Sequence, residues 1–312
     1  MSIMEVVRIE QFGAPNVIKF QKLPVPEPGE RELLLRIEAA SINPVDYKIR
    51  AGKYPPVKSD KLPYVLGRDV SGVVETCGDG IAGWKPGDEI YAMLGIDRGG
   101  FAQHVIVKVA EAAAKPKTID HVAAAAVPLA GLTAWQGLFR YGGLAAAQRV
   151  LIHGGSGGVG HFAIQFAKAR GAHVITTVSE KHVGFVKAIG ADEVIDYKKQ
   201  RFEDVVRDVD MVFDLIAGET QERSFGVLKK GGILVSTLSE PSQDKARQLG
   251  VRATRYTVQE NGAELGENAA LIDAGKVKPK VSKTFAFRDA TAAQEFVEKG
   301  HVEGKVVLKV AA

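Results

Sequence analysis

Short apolar runs broken by glycine and proline mark the first third of the chain. Runs at 6–11, 17–20, 33–39, 70–75, 89–93 and 102–109 are rich in strand-forming residues. Turn segments such as Pro24-Val25-Pro26-Glu27-Pro28-Gly29 and Lys85-Pro86-Gly87-Asp88 fall between them. Leu33, Leu35 and Ile37 alternate with Leu34, Arg36 and Glu38, the period of a strand with one mainly apolar face. This portion predicts an all-β domain, a barrel or a sandwich.

Near residue 120 the pattern changes to strand alternating with helix. Strands are predicted at 150–153, 173–179, 193–197, 211–216, 232–238 and 251–258, and helices at 161–170, 181–189, 202–207, 221–228 and 242–249. Six strands joined by short crossovers predict a parallel, doubly wound sheet covered on both faces, so the fold class is α/β. A helix at 263–274, an extended stretch at 277–287, a helix at 290–299 and a strand at 305–310 follow. This tail is expected to return to the β domain. The expected division is 1–122 for the β domain, 123–262 for the α/β domain and 263–312 for the returning segment.

Composition narrows the function. The 312 residues suit about two domains. Lys and Arg number 41 against 37 Asp and Glu, a formal charge of +4 with both signs mixed along the chain. That leaves no electrostatic footprint for nucleic acid. No apolar run approaches the roughly 18 residues of a membrane span. The start, Met1-Ser2-Ile3-Met4-Glu5-Val6-Val7-Arg8, lacks the basic and apolar regions of a signal peptide. The single cysteine, Cys77, forms no disulfide within the chain, which fits a reducing cytoplasm, and it excludes a zinc site built from several thiolates.

Glycine is the compositional outlier, and its placement carries the chemistry. Gly154-Gly155-Ser156-Gly157-Gly158-Val159-Gly160 contains GxGxxG at Gly155, Gly157 and Gly160, between a predicted strand and a predicted helix. In that context Gly155 serves the tight turn, Gly157 lets backbone approach a pyrophosphate, and Gly160 lets the helix pack on the strand. Backbone N–H groups and the helix dipole then face the phosphates. The ribose is read at the tip of the next strand, Thr177-Val178-Ser179-Glu180-Lys181. Ser179 with Lys181 suits the 2′-phosphate of NADP(H), through a hydroxyl donor and a cation. Ser179 also suits a helix N-cap, and Glu180 suits the ribose-binding acid of an NAD enzyme.

Several further segments carry a resemblance. They are Ser41-Ile42-Asn43-Pro44-Val45-Asp46-Tyr47-Lys48, Leu66-Gly67-Arg68-Asp69-Val70-Ser71-Gly72, Gly99-Gly100-Phe101-Ala102, Ala130-Gly131-Leu132-Thr133-Ala134-Trp135, Val212-Phe213-Asp214 and Gly304-Lys305-Val306-Val307-Leu308. With the glycine loop, they make the chain resemble the zinc-free quinone oxidoreductase, zeta-crystallin-like branch of the medium-chain dehydrogenase/reductase superfamily. The resemblance runs nearly end to end. It implies a GroES-like β-barrel domain completed by the C-terminal segment, a Rossmann domain, and an active-site cleft between them. In the family's alcohol dehydrogenases the first catalytic zinc ligand is a Cys where this chain has Asn43. The second is the His of a Gly-His-Glu motif where this chain reads Gly67-Arg68-Asp69. With an amide and a guanidinium there, no metal ligand set is expected.

The resemblance therefore implies metal-independent hydride transfer to an acceptor whose developing oxyanion needs only hydrogen-bond donors. Asn43, Tyr47 and Tyr54 are the candidate donors. Tyr54 matches a tyrosine of related enoyl thioester reductases that is their proposed proton donor. Tyr197 is expected beside the adenosine phosphate, Thr133 in a loop near the nicotinamide, and Lys305 close to the cofactor. Asp214 is expected to be structural, His153 and His161 to be packing residues, and Asp46 to cap or pair within its loop. Lys48, Arg50 and Lys53 leave room for a basic entrance that would suit an acyl-CoA. The expected activity is NADPH-dependent reduction of a quinone. Reduction of an enone, a 2-alkenal or an enoyl thioester stands beside it, as does an NADPH-binding structural or regulatory role with little turnover. An edge strand at 252–258 implies a homodimer, since in relatives the equivalent strand pairs across a two-fold axis.

Overall fold

In the computed structural model, which describes residues 2–311, the chain divides into two units. The first comprises the chain through Leu129, Glu260–Asp273 and the chain from Pro279 onward. It opens with β1 (Ile3–Ile9), β2 (Ile18–Pro24), β3 (Glu32–Ile42), β4 (Tyr64–Val65), β5 (Asp69–Cys77), β6 (Glu89–Met93), β7 (His104–Lys108) and β8 (Ala112–Ala114). β2, β1 and β4 form a small sheet. β3 is the hub of a larger one. It pairs antiparallel with β5 along one side, and with β7 over Glu32–Arg36 on the other. Leu34 is buried as well as Leu33, Leu35 and Ile37, while Arg36, on the same face as Leu34, stays exposed.

Three helices were not legible as helices in the sequence. The first is α1 (Pro44–Arg50), which follows β3 directly. It has Asn43 as N-cap, Pro44 at N1 and Asp46 at N3, whose carboxylate accepts the Asn43 N–H at 2.7 Å. Each choice favours helix initiation. Asp46 thus caps a helix, not a loop. The others are α2 (His121–Ala125), with Asp120 as N-cap, and α3 (Pro128–Trp135), which is continued by a π-helical segment, Gln136–Tyr141. Thr133, expected in a loop, lies in α3.

The second unit, Ala130–Gln259 with Ala274–Lys278, holds the six-stranded sheet. Its strands are β9 (Arg149–His153), β10 (His173–Val178), β11 (Glu193–Asp196), β12 (Val209–Asp214), β13 (Leu228–Ser236) and β14 (Arg252–Arg255). Their order is β11-β10-β9-β12-β13-β14 and every pairing is parallel. This is the doubly wound arrangement with the chain reversing beside β9. Helices α4 (Gly160–Ala169), α5 (Val183–Ala188), α6 (Phe202–Val205), α7 (Gly218–Ser224) and α8 (Gln243–Leu249) make the crossovers. The edge strand β14 is shorter than the sequence pattern suggested. Tyr256, just beyond it, turns inward, is 5% exposed, stacks on Tyr141 with ring centroids 4.5 Å apart, and donates its hydroxyl to the Thr133 carbonyl.

The tail belongs to the first unit. There α9 (Gly262–Asp273) packs so closely that a Cβ on Gly262 would sit 2.3 Å from the Ala112 carbonyl oxygen. The Tyr91 hydroxyl donates to the Leu265 carbonyl at 2.6 Å. After it come β15 (Val281–Ala286), α10 (Ala290–Glu298) and β16 (Lys305–Lys309). β16 pairs antiparallel with β3, Val306 opposite Ile42, and so takes the half of β3 that β7 leaves open. No helix among the described residues is long and apolar enough to cross a membrane.

His153 ends β9 wholly buried. Ser224 Oγ donates to the Thr220 carbonyl at 2.6 Å, which leaves its oxygen to accept from His153 Nε2 at 2.9 Å. His153 Nδ1 then accepts from Thr177 Oγ1 at 3.0 Å. The ring is thus held neutral, and burial pushes its pKa down to about 4. A folded-state pKa below the unfolded value contributes stability that is full above about pH 6.5 and lost as pH falls towards 4. The difference corresponds to about 3 kcal/mol. His153→Gln should remove this contribution. Denaturant midpoints of parent and variant compared from pH 7 to 4 should show the parent losing more stability on acidification; parallel curves would refute the assignment.

Candidate active site

The glycine loop bridges β9 and α4 in the second unit. Gly154 has φ = 76°, so the left-handed turn falls on Gly154 and not on Gly155. Gly155 is constrained by contact instead: a Cβ there would lie 2.1 Å from Thr176 Oγ1 on β10. A Cβ on Gly160 would lie 2.2 Å from the Gly154 carbonyl oxygen, so the first turn of α4 closes on the loop only without a side chain. Gly157 differs, since its missing Cβ would meet only the Gly154 oxygen at 3.5 Å. The space beside it is open, a cradle of the kind a pyrophosphate occupies. Ser156, Gly157, Gly158 and Val159 line the approach to the N-terminus of α4. His161 packs on Phe162 and makes a 3.0 Å hydrogen bond to the Gly157 carbonyl, as a structural residue does. Asp214 accepts from the Ile216 and Ala217 N–H groups, from Gln221 and from Ser236, so it is fully committed to its turn.

The tips of β10 and β11 lie together, Val178 opposite Asp196, and the Tyr197 N–H donates to the Val178 carbonyl at 3.2 Å. This brings Ser179 beside Tyr197, which is 52% exposed. Ser179 is 9% exposed and occupies the N-cap position of a short 3-10 turn, but its hydroxyl makes no cap hydrogen bond. Lys181 is exposed, and Glu180 is paired with Lys199 at 2.6 Å. A small hydroxyl, an exposed ammonium, an aromatic face and a neutralised acid make a donor set suited to a 2′-phosphate. The second unit therefore fits a dinucleotide from its pyrophosphate to its adenosine ribose.

The first unit holds a buried polar cluster where α1 leaves β3. Asp69 Oδ2 accepts from Ser41 Oγ at 2.8 Å and from Asn43 Nδ2 at 2.8 Å, and Oδ1 accepts the Leu129 N–H at 2.7 Å. Lys305, only 4% exposed, enters from β16 and donates to the Ile42 carbonyl at 3.2 Å, to Asn43 Oδ1 and to Asp69 at 3.5 Å. The Asn43 amide is therefore oriented at both ends, oxygen towards a cation and nitrogen towards an anion. Burial pushes the Lys305 ammonium below its usual pKa, while Asp69 and Asp46 pull it back up. Burial also drives Asp46 up to about 7, against the stabilising N–H of Asn43, and its Oδ1 has no hydrogen-bond partner.

Tyr47 lies on α1 and Tyr54 just beyond its end, both half-buried. Among the described residues neither hydroxyl is engaged in a hydrogen bond. The Tyr47 phenol is raised in pKa by burial and by the Glu298 carboxylate, so it stays a donor at neutral pH. Arg50 does not form a basic entrance. It is 2% exposed and binds Glu298 at 2.7 Å, Gln294 at 3.2 Å and the Gly13 carbonyl at 3.3 Å, joining α1 to α10. The structure thus joins Asn43 directly to Lys305, keeps Tyr47 and Tyr54 on the same local segment, and places Ser179 with Lys181 and Tyr197 at the neighbouring tips of β10 and β11. Asp69, the anchor of the buried cluster, and Lys199, the partner of Glu180, were not singled out by sequence reasoning. An acid after Gly67-Arg68 and a lysine pair, Lys198-Lys199, just past the strand predicted at 193–197 were the available signals.

Residues 29–117 match the alcohol dehydrogenase GroES-like domain family, and residues 189–308 match the family described as zinc-binding dehydrogenase. Zinc does not suit the donor set found here. Arg68 directs its guanidinium to the Leu94 carbonyl and Glu260, both at 2.5 Å, and Asn43 is taken up by Lys305 and Asp69. No group of three or more His, Cys, Asp or Glu side chains among the described residues is arranged to hold a metal ion.

Among similar proteins is the mitochondrial NAD(P)H oxidoreductase RTN4IP1 of Danio rerio, 34% identical over 99% of this chain and 92% of the relative. Another is the chloroplastic NADPH-dependent alkenal/one oxidoreductase of Arabidopsis thaliana, 36% identical over 95% of this chain and 77% of the relative. Among solved structures, the quinone oxidoreductase of Coxiella burnetii superposes with a TM-score of 0.93 at 36% identity, covering 99% of this chain and 100% of that one. The Escherichia coli quinone oxidoreductase complexed with NADPH gives 0.89 at 28% identity, covering 98% and 100%. The GroES-like unit, the six-stranded Rossmann sheet and these similarities agree: the chain belongs to the medium-chain dehydrogenase/reductase superfamily, in its quinone oxidoreductase branch of NAD(P)H-dependent enzymes.

Proposed function

We propose that this enzyme is an NADPH-dependent, metal-independent reductase that passes hydride to a quinone. The observation carrying the cofactor assignment is the pair of strand tips where the Ser179 hydroxyl makes no cap hydrogen bond and Lys181 is exposed, while Glu180 is held by Lys199. When bound, the dinucleotide supplies the hydride. The loop Gly155–Gly160 with Ser156, Gly158 and Val159 holds its pyrophosphate, and Ser179, Lys181 and Tyr197 receive the 2′-phosphate side. Thr133 is assigned to the nicotinamide end.

The acceptor oxygen gains negative charge and requires donors. Tyr47 Oη stays protonated at neutral pH, and among the described residues neither it nor Tyr54 Oη is engaged in a hydrogen bond, so both are assigned this role. Asn43, oriented by Lys305 and Asp69, caps α1 and fixes the segment that bears both tyrosines. One of its two amide hydrogens meets Asp69 and the second remains available to an acceptor. A conjugated carbonyl presents the same developing oxyanion as a quinone. The similarity to an alkenal/one oxidoreductase therefore supports a second reading, reduction of 2-alkenals and enones. We also infer a homodimer formed through β14, whose outer edge pairs with no strand among the described residues.

Three measurements test these assignments. The kcat/KM for NADPH should exceed that for NADH by at least about tenfold, the worth of charge-assisted hydrogen bonds to one phosphate. A preference for NADH would reject the assignment. Tyr54→Phe should slow alkenal reduction about 10²-fold with little change in cofactor affinity, whereas an unchanged rate would remove Tyr54 from proton donation. On a panel of quinones, alkenals and enones, turnover should be unaffected by a chelator, and loss of activity restored by zinc would overturn the metal-independent reading.

A further inference from the structure

We propose that Lys199 is a cofactor-specificity residue: its ammonium holds the Glu180 carboxylate, so that this acid neither accepts from a ribose 2′-hydroxyl nor repels a 2′-phosphate. The inference rests on the NADPH reading above and names the device that enforces it. Glu180 directly follows Ser179 at the end of β10, close to where a Rossmann enzyme places the acid that selects NADH. In this chain the acid is present but occupied, with Lys199 Nζ 2.6 Å from its Oε1. The root of Lys199 is fixed. Its N–H donates to the Asp196 carbonyl at 3.0 Å, the Lys198 N–H donates to Asp196 Oδ1 at 3.1 Å, and Tyr197 is tied to Val178. The turn after β11 therefore delivers an ammonium to the tip of β10.

Charge at this rim depends on that lysine. Glu180 and Asp196 supply the carboxylates, and Lys181, Lys198 and Lys199 the cations. With Lys199 the rim is net positive; without it the charges cancel and an unmasked carboxylate stands beside Ser179. Glu180 in turn raises the pKa of the Lys199 ammonium, which stays charged across the physiological range. Both side chains are well exposed, so replacing either leaves the core intact.

The test measures binding of cofactor fragments by calorimetry, independently of turnover, with 2′,5′-ADP and 5′-AMP as probes. The parent is compared with Lys199→Ala, Glu180→Gln and the double variant, whose thermal midpoints verify folding. The parent should prefer 2′,5′-ADP. Lys199→Ala should weaken 2′,5′-ADP by about fivefold and tighten 5′-AMP. In the Glu180→Gln background the same lysine substitution should change 2′,5′-ADP binding by less than about twofold, because its target is gone. If the parent prefers 2′,5′-ADP and Lys199→Ala is silent, this inference fails and the NADPH reading stands. If the loss persists undiminished in the Glu180→Gln background, Lys199 meets the phosphate itself and the masking role is refuted. A parent that binds both fragments equally removes the NADPH reading and this inference with it.

Discussion

A buried lysine set among oxygens ties β16 to the start of α1 in the first unit. Desolvating an ammonium is costly unless its charge and hydrogens are met inside the protein. Lys305 meets that demand with Asp69, the Asn43 amide and the Ile42 carbonyl, groups more than 230 residues earlier in the chain. The pairing of β16 with β3 makes the encounter possible, since it lays Val306 opposite Ile42 and directs the preceding residue at the start of α1. From there the order of the segment follows: Asn43 caps α1, Asp46 closes the cap, and Tyr47 and Tyr54 are carried along.

Asn43 and Arg68 also do not suit zinc, in a chain that matches a family described as zinc-binding. At the two ligand positions stand a guanidinium and an amide, and each has fixed partners. Arg68 answers to Glu260, and Asn43 lies between an ammonium and a carboxylate. On the proposed reading, electrostatic work at an acceptor oxygen falls to the hydroxyls of Tyr47 and Tyr54, which donate without burying another charge.

In the second unit, constraint and opening divide within one loop. Gly155 and Gly160 are required by atoms about 2 Å from where a Cβ would be, whereas Gly157 faces open space. Packing fixes the ends of the loop, and its middle stays open. In the proposed assignment, the choice of cofactor at the adenosine end of the ligand rests on charge pairing between the adjacent tips of β10 and β11.

What the sequence by itself determined was local: the strand–helix alternation of the second unit, the glycine loop at a β9–α4 junction, and a serine and lysine at the end of β10. These follow from residue periodicity and from backbone geometry that only glycine tolerates, and both act within a few residues. Short helices such as α1 were missed although Asn43-Pro44 and Asp46 spelled out a cap, because seven residues are too few to show a helical period. Tertiary structure alone decided that Leu34 would be buried, that Tyr256 would turn inward to the Thr133 carbonyl, that Arg50 would tie two helices, and that Lys305 would meet Asn43 and Asp69. Each of those outcomes depends on a partner far away in the chain, and no local pattern encodes which strand or helix will cover a given side chain.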